Sequence, residues 1–406
     1  MRKILCLLLA CMLVLLSGCA ANNSDETQSK KTGAVTITIW HDKEDSVIAV
    51  LEEAVKALEP DIHVVFEKKT GMTESLKLVG NDVNAAPDMY LFAHDKIGVY
   101  AEMGILTPIT ELLGNDALSG YVPLTVEGAT YKGQIYQVPL YFETLLFMYN
   151  RKYMADEDAP ATTEELYQYM QRKTKYGHYG FVEQHSTPYY AAGWIHGFGG
   201  SLITADGVPC LDSNEVKAAL AYHKKFVEYM PGETEYATVN TLFTEGMAHA
   251  TIAGPWFVPT VRAAGIDVGI APMPVVDETG LSLAPYSGIQ GLHVLKAHVA
   301  EKKDAIVKVL GVLMQPEVSV KLAKVSGCAP ALESCYTMEE VTSDSLIMAM
   351  KQTAETAIPM PNIPEMDVMW TVTGNLLTNV NMSGQDIDTA CADAQKKALE
   401  LIEAMK

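Results

Sequence analysis

The 406-residue chain lacks the motifs of several large enzyme classes. It has no G-x-x-x-x-G-K-S/T phosphate loop, so we do not expect it to bind and hydrolyse ATP. The H-E-x-x-H pattern of zinc proteases and the G-x-S-x-G pattern of serine hydrolases are also missing. These absences argue against an enzyme, and we predict no catalytic residues.

Basic residues are scarce as well. Lysine and arginine total 30 against 50 aspartates and glutamates, which gives a formal net charge of −20 at pH 7. A surface this acidic repels nucleic acid and anionic ligands, so we predict no nucleic-acid partner. The charge favours a soluble mature chain, but it does not identify a ligand.

Cysteine is sparse, and its spacing does not indicate a metal site. Beyond residue 20 the chain has only Cys210, Cys328, Cys335 and Cys391, and none belongs to a C-x-x-C pair. We therefore predict no metal and no cofactor. Cys328 and Cys335 are close enough in sequence to close a small disulfide loop outside the cell, and buried free thiols are the alternative. The sequence leaves both open.

Long hydrophobic runs are absent except at the N-terminus. Arg2 and Lys3 precede an apolar run, Ile4–Leu16, of about 13 residues, whereas a helix needs about 20 to cross a bilayer. This arrangement is typical of a secretory signal peptide, here residues 1–18. The Leu-Ser-Gly-Cys sequence ending at Cys19 resembles a bacterial lipobox and predicts a lipid anchor on the outer face of the cell membrane. An ordinary signal peptide is the alternative.

The chain after the signal predicts a short tether followed by an α/β fold. Residues 19–34 are polar and without periodicity, which is typical of a disordered tether. Residues 35–39 alternate apolar and polar side chains, and residues 47–58 place apolar side chains at helical spacing. Further strands are predicted at residues 62–66 and 88–92. Strand, helix and strand in this order predict a parallel sheet with right-handed crossovers.

Helix signals dominate the rest of the chain. Thr162 and Glu165 have the spacing of a capping box. Pro316 suits the first turn of a helix that ends near Gly327. A long amphipathic helix is predicted after Ser383. About 390 residues remain after the signal, which is too long for one typical core, so we expect two lobes.

Two tryptophans lie in stretches that the sequence predicts to be loop-like. Trp256 follows Gly254-Pro255, and Trp370 follows a proline-rich segment that begins at Pro359. Prolines impose extended backbone, so we expect each ring to be held stiffly. A rigid aromatic face suits the apolar CH face of a sugar ring. Core packing is the alternative for both rings.

Charged side chains follow each predicted strand of the first part of the chain. Open α/β sheets bind ligands at this edge. Glu143 stands apart as a single carboxylate in an aromatic-rich stretch, where burial would require hydrogen-bond donors. A solvated surface position is the alternative for each isolated charge. The candidates that follow strands are Asp42, Lys43, Glu67, His94, Asp95 and Lys96.

Three segments together resemble the maltose and maltodextrin-binding proteins of ABC importers, within the extracellular solute-binding class that serves sugars. They are Leu91–Gly98, Gly254–Trp256 and Met360–Trp370, and the resemblance extends over nearly all of residues 35–406. It implies a two-lobed, periplasmic-binding-protein-like α/β fold, in which each lobe is a mostly parallel sheet flanked by helices. Sugar would bind in a hinged cleft between the lobes.

The resemblance also implies where the lobes and the ligand contacts lie. The chain crosses between lobes near Tyr141–Thr144, Pro285–Gly288 and Gly327–Leu332. The N-terminal lobe is residues 35–142 and 288–327, and the C-terminal lobe is residues 143–287 and 328–406. Carried over position by position, the ligand-binding residues are Asp42, Lys43, Glu67, Phe92, Asp95, Lys96, Glu143, Tyr189, Tyr190, Trp256 and Trp370.

These features predict a monomeric, lipid-anchored protein that captures a malto-oligosaccharide by hinge closure and passes it to the permease subunits of an ABC importer. The alternatives are a binder of a different oligosaccharide, a surface adhesin or chemoreceptor-linked binder, and a secreted glycosidase. A retaining glycosidase would need two carboxylates, such as Asp95 and Glu143, about 5–5.5 Å apart. New reducing ends released from maltodextrin would indicate the enzyme.

Overall fold

The structure, a computed structural model, describes residues 34–232 and 235–405. The predicted signal peptide, the lipidation site Cys19 and the tether up to residue 33 lie outside the described residues. Within the described part of the chain, no helix is both long enough and apolar enough to cross a membrane. The described strands form two main sheets and a small hairpin.

Helices and strands follow one another along the chain, as an α/β fold requires. The strands are β1 (Val35–His41), β2 (Ile62–Lys68), β3 (Met89–Ala93), β4 (Thr130–Tyr131), β5 (Gln134–Ile135), β6 (Val138–Thr144), β7 (Leu146–Asn150), β8 (Ala250–Ala253), β9 (Val268–Ala271), β10 (Tyr286–Val294), β11 (Ala329–Pro330) and β12 (Ile358–Pro359). The α-helices are α1 (Asp45–Val55), α2 (Met72–Val79), α3 (Ile97–Glu102), α4 (Thr110–Leu113), α5 (Pro123–Gly128), α6 (Thr163–Lys173), α7 (Pro188–Gly197), α8 (Asn214–Val227), α9 (Tyr236–Thr244), α10 (Val258–Ala263), α11 (Val299–Leu313), α12 (Pro316–Ser326), α13 (Glu339–Thr342), α14 (Ser345–Thr353), α15 (Met366–Asn381) and α16 (Ile387–Glu403).

The larger sheet begins with the predicted strand–helix–strand unit. β1 lies between β2 and β3 and runs parallel to both, with Ile39 opposite Phe66 on one side and Met89 on the other. Leu51 of α1 is fully buried in the same core cluster as Ile39. The two strands and the helix predicted from the first part of the chain are therefore confirmed.

Several strand pairs are antiparallel, which differs from the expectation of mostly parallel sheets. The larger sheet has the order β11-β6-β10-β3-β1-β2, and β10 runs antiparallel to both β3 and β6. In the second sheet, β7 lies between β8 and β9 and is antiparallel to both. The chain passes from β6 to β7 through Leu145 alone, without the long crossover that a parallel neighbour needs.

The three segments predicted to cross between lobes lie side by side in the larger sheet. Glu143 of β6 is paired with Gly288 of β10, and Phe142 is paired with Ala329 of β11. Ser287 Oγ donates a hydrogen bond to the backbone oxygen of Glu143 at 2.8 Å. The register of β6 and β10 is therefore fixed here, and it places the side chain of Glu143 at their junction.

Helix ends agree with the local sequence signals. Thr162 Oγ1 accepts a hydrogen bond from the Glu165 N–H, and the Glu165 carboxylate accepts one from the Thr162 N–H, which completes the predicted capping box before α6. α12 begins at Pro316, and Gly327 adopts a φ of 69° just after the helix ends. Such a positive φ favours glycine and terminates the helix as predicted. The long C-terminal helix is present as α16.

The four cysteines beyond residue 20 are free thiols in the structure, so Cys328 and Cys335 are not bridged. Cys328, Cys335 and Cys391 are buried. Burial raises the pKa of Cys335 and of Cys391 to about 11. A thiol with a raised pKa is a poor nucleophile at neutral pH, and we expect these cysteines to be unreactive in the folded protein.

Candidate functional site

A cavity of about 320 Å³ opens where the crossing strands meet the end of β1. Its walls come from distant parts of the chain, namely the segment after β1, strands β6 and β10, the turn after β8 and the segment after α12. The sequence stretches that form it are brought together only by the sheet topology. Four of the predicted ligand-binding residues line it, and they are Asp42, Lys43, Glu143 and Trp256.

Glu143 supplies a carboxylate to the cavity wall. Its Oε1 accepts a hydrogen bond from Gln290 Nε2 at 3.0 Å, and its Oε2 accepts a longer one from the Cys328 thiol at 3.6 Å. Burial raises the pKa of Glu143, although the Gln290 hydrogen bond and the Lys43 charge oppose the rise. Gly288 leaves space for the carboxylate, since a Cβ there would lie 2.7 Å from Oε1. The carboxylate is therefore held in one place by its neighbours.

Asp42 and Lys43 form an ion pair in the same wall. Lys43 Nζ lies 2.7 Å from Asp42 Oδ1 and 5.6 Å from the centre of the Phe92 ring. The Lys43 side chain is largely covered, whereas that of Asp42 is exposed. Lys43 thus brings a positive charge close to Glu143, and Phe92 contacts the site through Lys43. Phe92 itself does not line the cavity, and its direct contact with a ligand stays a prediction.

Trp256 is an exposed aromatic ring in the cavity wall. It lies in a short 3-10 turn, Pro255–Phe257, and 40% of its surface is exposed. Its ring folds back against Gly254, where a Cβ would lie 2.2 Å from the indole. Tyr190 is buried and lies within hydrogen-bond reach of the indole. An exposed ring supported in this way can stack on an apolar ligand face.

Glu67 belongs to a separate cluster at the end of β2. Its Oε2 accepts a hydrogen bond from Trp40 Nε1 at 3.1 Å and lies 2.8 Å from Lys69 Nζ. Lys69 also lies over the Trp40 ring. The hydrogen bond from Lys69 is the main reason that the pKa of Glu67 is lowered. Glu67 does not line the cavity, and its predicted ligand contact stays a prediction.

Asp95 and Lys96 follow β3 and connect it to α15. Lys96 Nζ lies 3.4 Å from Asp95 Oδ2 and donates a hydrogen bond to Asp367 in the first turn of α15. Burial opposes the charge of Lys96, but Asp95 and Asp367 outweigh it and raise the pKa of Lys96. The pair between Lys96 and Asp367 joins the segment after β3 to the helix that carries Trp370.

Tyr189 and Trp370 flank the buried Tyr286. The Trp370 ring centre lies 5.7 Å from that of Tyr286 in an edge-to-face arrangement, and the Tyr189 ring centre lies 6.5 Å from it. The loop setting predicted for Trp370 is wrong, because the helix restarts at Met366, before the tryptophan. Burial, followed by the nearby charge of Glu143, raises the pKa of Tyr189. None of these three residues lines the cavity, and the ligand contacts predicted for Tyr189 and Trp370 stay predictions.

Eight residues that line the cavity were not predicted, and among them are Tyr141, Gln290 and Cys328. Tyr141 and Gln290 are paired across β6 and β10, and Cys328 follows α12. In sequence, Tyr141 and Cys328 resemble ordinary core residues. Gln290 offered one usable signal, since a large polar amide interrupts a strand that is buried along its whole length.

Most residues of this cavity wall lie within a segment that matches a known protein family. Residues 52–349 match the family model described as bacterial extracellular solute-binding protein. The chain belongs to this family. The match includes Glu143, Trp256, Gln290 and Cys328, whereas Asp42 and Lys43 precede it.

Individual relatives are named for oligosaccharides. A maltotriose-binding protein of Pyrococcus abyssi is 31% identical over 357 residues, covering 85% of this chain and 77% of that protein. A galactooligosaccharide-binding protein of Bacillus subtilis is 26% identical over 416 residues, covering 98% and 96%. A maltooligosaccharide ABC transporter solute-binding lipoprotein of Streptococcus pneumoniae is 25% identical over 411 residues, covering 96% and 94%.

The fold also has a close counterpart among solved structures. A cyclo/maltodextrin-binding protein complexed with maltotetraose matches with a TM-score of 0.83 at 25% identity, covering 93% of this chain and 100% of that chain. The predicted two-lobed α/β fold of the periplasmic-binding type is therefore confirmed. The resemblance to the maltodextrin-binding proteins of ABC importers is confirmed as well.

Proposed function

We propose that this chain captures malto-oligosaccharides without altering them chemically and delivers them to the permease of an ABC importer. One observation carries the proposal. A fixed carboxylate, Glu143, and an exposed aromatic ring, Trp256, line the same cavity. A sugar uses both, because its rings have an apolar CH face and a hydroxylated edge. One relative is named for maltotriose, and the structural neighbour is complexed with maltotetraose. Both names favour a glucan of the maltodextrin type as the ligand.

The energies indicate that several residues must act together. One aromatic ring covers about 60–80 Å² of apolar sugar surface, which contributes roughly 1.5–2 kcal/mol at about 25 cal/mol per Å². A hydrogen bond to a charged group adds roughly 1.5–3 kcal/mol, while association costs about 4–15 kcal/mol. Micromolar binding needs about −8 kcal/mol. We therefore assign further ligand contacts to Lys43, Tyr189 and Trp370.

Hinge closure is the mechanism that we infer for capture. We place the lobe boundaries at residues 142/143, 287/288 and 327/328, which assigns Lys43 to the N-terminal lobe and Trp256 to the C-terminal lobe. A ligand that contacts both lobes stabilises the closed form through contacts that the open form lacks. Small-angle X-ray scattering should show a smaller radius of gyration with maltotriose than without it. An unchanged radius at saturation would contradict closure.

Calorimetric titration with maltotriose, a galacto-oligosaccharide and cellotriose tests the ligand class. We expect maltotriose to bind most tightly. A galacto-oligosaccharide is the second candidate, because the Bacillus subtilis relative that carries this name aligns over almost the whole chain. If the galacto-oligosaccharide bound most tightly, it would replace maltotriose as the proposed ligand, and the proposed capture mechanism would stand. Binding of none of the three would contradict the proposed function.

A glycosidase activity is not favoured by the contacts of the cavity carboxylates. Asp42 is paired with Lys43, and both oxygens of Glu143 accept hydrogen bonds from neighbouring side chains. Prolonged incubation with maltodextrin should therefore release no new reducing ends. A steady release that Glu143→Gln abolishes would instead indicate an enzyme.

We propose that a lipid on Cys19 holds the mature protein at the outer face of the cell membrane. The Leu-Ser-Gly-Cys sequence supports this, and a relative named as a lipoprotein is consistent with it. Replacing Cys19 with alanine should release the protein from the membrane fraction. Persistent membrane attachment of the variant would contradict lipidation at this residue.

A further inference from the structure

Gln290 lies where β10 changes its pairing register. It is paired with Ala93 of β3 and with Tyr141 of β6, and the register with β6 shifts between Gln290 and Gly291. Strand irregularities of this kind re-aim a side chain and are frequent beside ligand sites. Gln290 also lines the cavity together with Glu143.

The two ends of the Gln290 amide have different surroundings. Nε2 donates a hydrogen bond to Glu143 Oε1 at 3.0 Å. Oε1 is buried and accepts no hydrogen bond from any residue that the structure describes. The residue as a whole is only 8% exposed. A buried acceptor without a donor is unfavourable, so a donor that reaches it on ligand binding is stabilising.

Glu143 determines which end of the amide is free. An ionised carboxylate accepts hydrogen bonds and has no proton to donate, so the NH₂ end of Gln290 must face it. The Glu143 carboxylate is held in place, because the Cys328 thiol donates a hydrogen bond to its other oxygen. Flipping the amide would lose a charge-assisted hydrogen bond. The Oε1 acceptor of Gln290 is therefore left for a ligand, beside the second N–H of its amide.

We propose that Gln290 is a specificity-determining residue, and that its Oε1 accepts a hydrogen bond from one hydroxyl of the bound sugar. This inference rests on the sugar-binding function proposed above. It fixes the direction of one hydrogen bond, in which the ligand donates and the protein accepts. A ligand without that hydroxyl leaves the buried oxygen unpaired, which is how a site built for a hydroxyl rejects an analogue.

Calorimetry with maltose and its monodeoxy analogues tests the residue assignment. In the wild-type protein, at least one deoxy analogue should bind about tenfold or more weakly than maltose because of this contact. Gln290→Met keeps a similar size but removes the acceptor. This variant should bind maltose more weakly than wild type does, and it should bind maltose and that analogue with equal affinity. Gln352→Met, at an exposed position of α14, is the matched control and should keep the wild-type discrimination.

The monofluoro analogue at the same sugar position tests the direction of the hydrogen bond. Fluorine cannot donate, so this analogue should bind wild type as weakly as the deoxy analogue. Binding as tight as that of maltose would overturn the proposal, and so would a Gln290→Met protein that keeps every wild-type discrimination. The comparison with the fluoro analogue uses only the wild-type protein. It therefore still tests the proposal in the case that Gln290→Met does not fold. A wild-type protein that binds no maltose, maltotriose or other malto-oligosaccharide would refute the sugar-binding function itself.

Discussion

Two tryptophans of this chain have similar sequence surroundings and different structural positions. Each follows prolines, and each was predicted to be a rigid platform for a sugar. Trp256 is 40% exposed in the cavity wall. Trp370 is half-buried in α15, with its ring edge-to-face against Tyr286 and beside a core cluster. Prolines before an aromatic residue therefore indicate a stiff backbone, but they do not separate a ligand platform from a packed ring.

This difference separates two regions of the proposed site, one expected to bind ligand and one expected to contribute to packing as well. The cavity region consists of Asp42, Lys43, Glu143, Trp256 and Gln290. The Tyr286 region consists of Tyr189, Tyr286 and Trp370. Changes in the cavity region should alter ligand affinity and leave the fold intact, whereas changes in the Tyr286 region should lower stability as well.

The largest effect is expected in the Tyr286 region. Trp370→Ala should lower the free energy of unfolding of the unliganded protein by about 2 kcal/mol, less than the roughly 3–5 kcal/mol for a fully buried ring. Affinity for maltotriose should fall too, because we assign a ligand contact to Trp370. Urea denaturation and calorimetry measure the two effects. Unchanged stability with weaker binding would show that Trp370 is a free platform like Trp256.

In the cavity region, Glu143→Gln should weaken maltotriose binding by at least tenfold. The reason is that a hydrogen bond to a charged group contributes about 1.5–3 kcal/mol. The unliganded variant should be as stable as wild type or more stable at neutral pH, since a buried, desolvated charge has been removed. A large loss of stability with unchanged affinity would make Glu143 a structural residue and would erase the contrast between the regions.

Trp256→Ala should weaken maltotriose binding by about tenfold, equivalent to roughly 1.5 kcal/mol of stacking. Its urea midpoint should stay close to that of wild type, because the ring is substantially exposed. Trp256→Phe keeps an aromatic face and should retain much of the affinity. A marked fall in stability for Trp256→Ala would show that the Trp256 ring contributes to packing, as we expect of Trp370.

Lowering the pH should produce a smaller effect that is specific to the cavity region. Because burial raises the pKa of Glu143, its carboxylate becomes protonated at a higher pH than an ordinary glutamate. Wild-type affinity for maltotriose should therefore fall a few-fold, on the order of 1 kcal/mol or less, from pH 8 to pH 5. Glu143→Gln should not show this part of the pH dependence. An identical pH profile for both proteins would contradict the raised pKa.

The same titration has the opposite sign for stability. The folded protein holds a proton on Glu143 that the unfolded chain releases, in the window between the raised pKa and the ordinary one. The contribution of Glu143 to stability therefore rises as the pH falls through that window. The difference in unfolding free energy between wild type and Glu143→Gln should shrink over the same range.

The smallest effect is expected for the ion pairs beside the Tyr286 region. Lys96→Met should lower the free energy of unfolding by about 1 kcal/mol or less, because Lys96 is paired with Asp95 and Asp367 but partly solvated. Affinity should change little if these pairs only position α15. A tenfold loss of affinity without a change in stability would instead make Lys96 a ligand contact, as the sequence predicts.

Local structure could be predicted from the sequence because short segments determine it. The capping box at Thr162 and the glycine that ends α12 depend on residues within one or two turns. The alternation of apolar and polar side chains in β1 likewise indicates a strand with one buried face. These features appear in the structure where the sequence predicts them.

The convergence of the site could be predicted only in part. Glu143 and Gln290 are 147 residues apart, and only the antiparallel register of β6 and β10 brings them together. No local pattern encodes that register, so Gln290 was missed and Glu143 was identified without its partner. For Trp370, the helix that restarts at Met366 overrides the extended backbone of the preceding prolines.

A crystal structure of the complex with maltotriose tests the central claim most directly. We predict a sugar ring stacked on Trp256, with hydroxyls of the same molecule hydrogen-bonded to Glu143 and Gln290. Electron density for the sugar at another place on the protein, with the cavity between β6, β10 and Trp256 unoccupied by ligand, would contradict the account.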